Sequence, residues 1–178
     1  MRIACIGECM IELSDAPHGM ARGYGGDTLN TAVYMARLGR SRGVEVDYVT
    51  ALGDDPYSEE MLAGWRAEGV GVQHVRRMAG RAPGLYMIRT AAGGERSFYY
   101  WRSAAPAREL FQGPAGLALV DVLAGYDWLY FSGITLGMLR VEGRLALFEA
   151  LRRASAAGAR IAYDSNYRPR LWEDAEEA

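Results

Sequence analysis

Short apolar runs alternate along this chain with stretches of helical spacing, a pattern that points to an α/β fold in which helices cover a parallel sheet. "RIACIGE", from Arg2, is apolar almost throughout, as in a strand covered on both faces. "VDYVTALG", "DWLYFSG" and "RIAYDSN" repeat the pattern, and "CMIELS" is a further extended segment that "DAPHG" breaks. Between the runs, Leu29, Ala32, Val33 and Ala36 fall on one helical face, and Gly39 closes that helix. A second helix is predicted from Pro56 to about Glu68, with Asp55 as its cap and Glu59 and Glu60 at the positive end of its dipole. Two more are predicted near Gly116 to Ala124 and from about Val141 to Ala157.

The alternation is interrupted once. From Val72 to Trp101 the pattern is extended: "VQHVRRM", "GLYMIRT", the turn "AAGGE", then "RSFYYWR". This predicts a small β lid over the α/β body, built from residues 72–102 together with the strands near 10–24.

Composition removes several function classes. The chain has 178 residues, 50% hydrophobic and 24% charged, which suits one domain with a real core. Twenty Lys+Arg against 22 Asp+Glu, with the arginines scattered, give no footprint for nucleic acid and leave a small metabolite as the easier partner. The most apolar stretch is broken by Asp121, Asp127 and several glycines and does not read as a membrane span. Because "RIACIGE" reads as a strand and not as a leader, the expected location is the cytoplasm. Cys5 and Cys9, with His18 and His74 as the remaining soft ligands, make no zinc set and are expected to be structural thiols, so no metal site is predicted.

Three segments carry chemistry. The first is "GYGGDTLNTAVYMARLG", Gly23 to Gly39. A nucleotide P-loop would need Gly-Lys-Ser/Thr at the helix start, and this stretch has no lysine. A dinucleotide fingerprint would need its glycines directly after the first strand, where Gly7 stands alone. What remains is a Gly-Gly pair that lets a ligand approach the backbone, followed by Asp27 and Asn30 one turn apart. Asp27 reads as an N-cap or a ligand contact, and the Asn30 amide can both donate to and accept from hydroxyls.

The second is the hairpin. A turn centred on Gly93 places Tyr86 opposite Tyr100 and Gly84 opposite Arg102, so Tyr86, Tyr100 and Arg102 share one face. Two phenols and a guanidinium can bind hydroxyls and a carboxylate; the same face could also simply pack. The opposite face, with Met87, Tyr99 and Trp101, suits packing or dimer contact. The third is "DSNYRPRLW" after the last strand, where Asn166 and Arg168 lie at the carboxyl end of the sheet, the usual ligand side of such folds.

Together with "IGECMIELS", "YVTALGDD" and "YFSGI", these segments resemble the PfkB (ribokinase-like) carbohydrate kinases, and the Asp-Thr after the glycine pair resembles their ketodeoxygluconate branch. The resemblance covers essentially the whole chain. It implies a ribokinase-like layered α/β/α sheet and ATP-dependent transfer, with Mg2+, to the 6-hydroxyl of 2-keto-3-deoxygluconate. It places Gly26, Asp27 and Asn30 on sugar hydroxyls, and Tyr86, Tyr100 and Arg102 over the sugar from the lid. Arg168 would lie between substrate and phosphates, Asn166 toward the nucleotide, and Glu12 in the pocket. It also implies a homodimer through the lid.

The family's "GAGD"-type segment, which supplies the base aspartate and an anion hole, does not occur in these 178 residues. The chain is therefore expected to be an N-terminal portion, inactive alone, whose "EDAEEA" begins a further helix and whose strand "RIAYDSN" leaves an open edge prone to association. Another sugar kinase of the family, such as a fructokinase, and a non-catalytic sugar-binding or dimerisation module are the alternatives.

Overall fold

The computed structural model describes residues 1–174 and 176. In chain order they form β1 (Arg2–Ile6), β2 (Met10–Ala16), β3 (Gly19–Gly25), α1 (Asp27–Gly39), β4 (Glu45–Val49), β5 (Ala51–Gly53), α2 (Pro56–Ala67), β6 (Val70–Gly71) and β7 (Arg76–Met78). There follow β8 (Leu85–Thr90), β9 (Arg96–Trp101), α3 (Gly113–Leu123), β10 (Trp128–Ser132), α4 (Gly133–Met138), α5 (Val141–Ala156) and β11 (Arg160–Asp164). The main sheet has the order β11-β10-β1-β4-β6, with every neighbouring pair parallel.

Period-two alternation explains how this sheet makes two cores. Ile3 and Cys5 point to one face, with Val46 and Tyr48 beside them, and meet Leu29, Ala32 and Ala36 of α1 and Met61, Leu62 and Trp65 of α2. Ala4 and Ile6 point to the other face and meet Leu119 and Leu123 of α3 and Leu147, Ala150 and Ala154 of α5. Each fully buried leucine in these layers contributes about 1.5–3 kcal/mol. Both cysteines are buried, and burial pushes the Cys5 thiol up to about 12, so neither site favours the reactive thiolate. Among the described residues no helix is long and apolar enough to cross a membrane.

A second sheet, β3-β2-β8-β9, stands apart from the first. The pairing of β8 with β9 follows the register read from the sequence: Tyr86 faces Tyr100 and Leu85 faces Trp101. The bounds differ from the expectation at the N-terminal side. "VQHVRRM" gives only β7, which pairs with β5 in a separate two-stranded sheet, so this second sheet takes up Met10 to Gly25 and Leu85 to Trp101. "VDYVTALG" is likewise divided at the buried Thr50, whose carbonyl accepts from the Arg76 amide at 2.9 Å. Hydrophobic alternation marks a strand without saying which sheet receives it.

The helix starts also depart in one place. Asp55 caps α2 as read, accepting from the amides of Tyr57 at 3.0 Å and Ser58 at 3.2 Å. In α1 the cap position falls to Gly26, and Asp27 is the first helical residue with its carboxylate turned elsewhere. The short α4, with a reciprocal Ser132–Thr135 capping box, has too little length for periodicity to reveal. The helix expected at "EDAEEA" lies partly outside the described residues.

Candidate functional site

Cross-strand pairing sets the site's first row. Glu12 lies beside Tyr86 in the parallel β2–β8 pair, Tyr86 faces Tyr100 across β8–β9, and Glu12 faces Gly23 across β2–β3. Directly paired residues point to the same side of a sheet, so one face carries Gly23, Glu12, Tyr86 and Tyr100 in a line. The Tyr86 hydroxyl donates to Glu12 Oε2, and the Tyr86 and Tyr100 ring centroids are 5.9 Å apart. Phe98 extends the stack, 6.4 Å from Tyr100. Burial, then the bond to Glu12, pushes the Tyr86 phenol well above its ordinary value, so it is a hydrogen-bond donor at neutral pH.

This face meets the glycine-led helix start. A Cβ built on Gly25 would run into the Tyr86 hydroxyl, and one built on Gly26 would run into the backbone carbonyl of Glu8. The absent side chains are what let the second sheet and the loop after β1 close on the first turn of α1. Asn30 is exposed in that turn. The Asp27 carboxylate accepts from the Asn166 amide at 2.9 Å, which ties α1 to the loop after β11. Asn166 holds a φ of 28°, a left-handed conformation that asparagine tolerates better than most residues. Arg168, two residues on, is exposed and donates to the Tyr167 carbonyl at 3.2 Å.

Arg102 completes the junction through Glu8, a residue the sequence reading did not single out. Glu8 is 3% exposed in the loop between β1 and β2, and its carboxylate accepts from the Arg102 guanidinium, itself 11% exposed. Burial pushes the Glu8 carboxyl above its ordinary value, and the Arg102 guanidinium pulls the other way. Gly84 makes room for the pair: a Cβ there would lie 3.0 Å from Glu8 Oε1 and 3.1 Å from Arg102 Cβ. The available signal was a lone acidic residue between two buried cysteines at the end of an apolar strand, a position with no solvent to receive its charge.

The chain entering α1 at Gly25 and Gly26 thus lies against Tyr86 and Glu12 of the second sheet and against Glu8, whose carboxylate pairs with Arg102. These side chains offer donors and acceptors to several hydroxyls, with Arg102, paired to Glu8, as the cation beside them. Among the described residues no group of three or more His, Cys, Asp or Glu is placed to hold a metal ion.

The comparisons with known proteins converge. The sequence profile described as pfkB family carbohydrate kinase matches residues 1–178. A 2-dehydro-3-deoxygluconokinase of Dickeya dadantii is 49% identical over 175 residues, a match covering 98% of this chain and 56% of that protein. The crystal structure of a 2-dehydro-3-deoxygluconokinase from Thermotoga maritima superimposes with a TM-score of 0.84 at 28% identity, covering 97% of this chain and 53% of that one. A Xylella fastidiosa fructokinase solved with bound ATP superimposes with a TM-score of 0.79 at 26% identity, covering 98% and 54%. The chain thus spans little more than half the length of the relatives it matches.

Proposed function

Because the chain belongs to the pfkB family of carbohydrate kinases, we propose that it forms the sugar-binding part of a kinase that phosphorylates the 6-hydroxyl of 2-keto-3-deoxygluconate (2-dehydro-3-deoxygluconate) with ATP. The observation that carries this is the meeting of the Glu12–Tyr86–Tyr100 row with the Gly26 helix start, with Arg102 fixed beside them. In this reading Asp27, Asn30 and the backbone at Gly26 take the sugar hydroxyls. Tyr86 and Tyr100 cover the sugar from the lid, and Arg102 supplies positive charge for its carboxylate.

Phosphoryl transfer depends on positioning and on stabilising charge on the transferring group. Of the residues present, Arg168 fits the phosphate side of the sugar: its guanidinium is exposed at the carboxyl ends of the strands. Asn166 would stand toward the nucleotide while its amide holds Asp27 in place for the sugar. ATP would supply the phosphoryl group. Mg2+ would accompany the ATP phosphates, and we assign no residue of this chain as its ligand. We assign the kinase to the cytoplasm. Tyr99 and Trp101, 51% and 58% exposed on the other face of β9, would be covered by a second copy of the chain, a homodimer that sedimentation equilibrium would read directly.

Calorimetry tests the assignment. The chain should bind 2-keto-3-deoxygluconate more tightly than fructose, and Arg102→Ala should remove about tenfold of that preference, the value of a charge-assisted contact. Equal affinity for the two sugars would remove the sugar-acid assignment and favour a fructokinase.

A further inference from the structure

We propose that the cleft between the start of α5 and the turn at 169–173 is a binding site for a phosphate monoester dianion, separate from the sugar cleft. A cavity of about 510 Å3 opens there, and its charged lining is Arg108, Arg140, Arg144, Arg170, Glu142 and Glu173. That volume is in the range of small-metabolite sites. Guanidiniums outnumber carboxylates in this lining, and because Arg140 also pairs with Glu109, the cations an added anion would meet first are Arg108 and Arg170, both within reach of one phosphoryl group.

The partners of each cation sharpen the case. Arg140 lies 3.5 Å from Glu109, a carboxylate it shares with Arg81 at 3.3 Å. The Arg144 guanidinium lies over the Trp172 ring, 5.4 Å from its centroid, and both residues line the cavity. Arg108 is half-buried, its backbone is bonded to Ala105 and Arg140, and its guanidinium makes no hydrogen bond or ion pair with any described residue. Burial and the like charges of Arg102, Arg140 and Arg144 push the Arg108 guanidinium below its ordinary value, with Glu8 opposing. The positive end of the 16-residue α5, which has no side-chain cap at Arg140, adds to the same potential. A phosphoryl group offers three acceptor oxygens to planar guanidinium forks and relieves the repulsion around Arg108. The proposal does not depend on the kinase reading.

The test titrates the 178-residue chain with inorganic phosphate, glucose 6-phosphate and gluconate, by calorimetry and by amide shifts. Glucose 6-phosphate and phosphate should compete for one site, and gluconate should displace neither. Arg108→Ala and Arg170→Ala should each weaken binding of the ester about tenfold or more. Tyr100→Ala, in the sugar cleft, should leave it within about twofold. Arg170 sits on an exposed turn, so its variant keeps the test sound if Arg108→Ala folds poorly. Unchanged ester affinity in Arg170→Ala, binding of free phosphate without the ester, or displacement by gluconate would overturn the proposal. Sugar-acid binding lost in Arg102→Ala but kept in Arg170→Ala reads the other cleft independently.

Discussion

Replacing Glu8 by alanine is expected to destabilise the chain by about 3–5 kcal/mol, read as a fall in the urea midpoint at neutral pH. The cost comes from what is left behind. Arg102 is 11% exposed, its guanidinium donates to the Glu8 carboxylate, and Arg108 adds a like charge nearby. Removing the carboxylate strands a buried cation. Glu8→Gln keeps an acceptor of the same shape and should cost less, and Glu8→Leu combined with Arg102→Met should recover most of the loss.

The pH dependence has a definite sign. Burial raises the Glu8 carboxyl in the folded state, with Arg102 opposing. A raised folded pKa means that this group's contribution is full below the unfolded carboxylate range and is lost as pH rises through the folded value. Wild type should therefore lose stability relative to Glu8→Gln across that window. A Glu8→Ala chain within about 0.5 kcal/mol of wild type would contradict the ion-pair account.

Gly26→Ala is the second large effect. The added methyl would meet the Glu8 carbonyl well inside van der Waals contact and lie 3.2 Å from Cys9 Cα. These are backbone atoms, so the loop after β1 must move off the start of α1. A cost of about 1–3 kcal/mol is expected, together with loss of sugar-acid binding, because the same shift displaces Asp27 and Glu8. Asn30→Ala, on the exposed side of that turn, should weaken sugar binding while leaving stability within about 0.5 kcal/mol. A Gly26→Ala chain with wild-type melting and binding would show that the close approach is not required.

The sequence displayed what is local and periodic. The strand runs of β1, β10 and β11, the Asp55 cap and the β8–β9 register all follow from spacing within a few residues. What it hid is set by partners far along the chain. Glu8 reads as a loop acid until Arg102, 94 residues away, is brought against it. Asp27 reads as a cap until Asn166 takes its carboxylate. Asp47 is the one acid inside the apolar run "VDYVTALG", and it is buried and accepts from Tyr126 and Gln73, both at 2.5 Å. "VQHVRRM" looks like a strand of the β insert, but the Arg76 amide finds Thr50 and the segment joins β5.

Amide and tyrosine-ring shifts during titration of the chain with 2-keto-3-deoxygluconate would probe the enclosure itself. We expect saturable changes at Gly26, Asp27 and Asn30 and, at the same ligand concentrations, at Tyr86, Tyr100 and Arg102. Changes confined to one of those two groups, or none at either while the chain stays folded, would contradict a cleft closed jointly by the helix start and the second sheet.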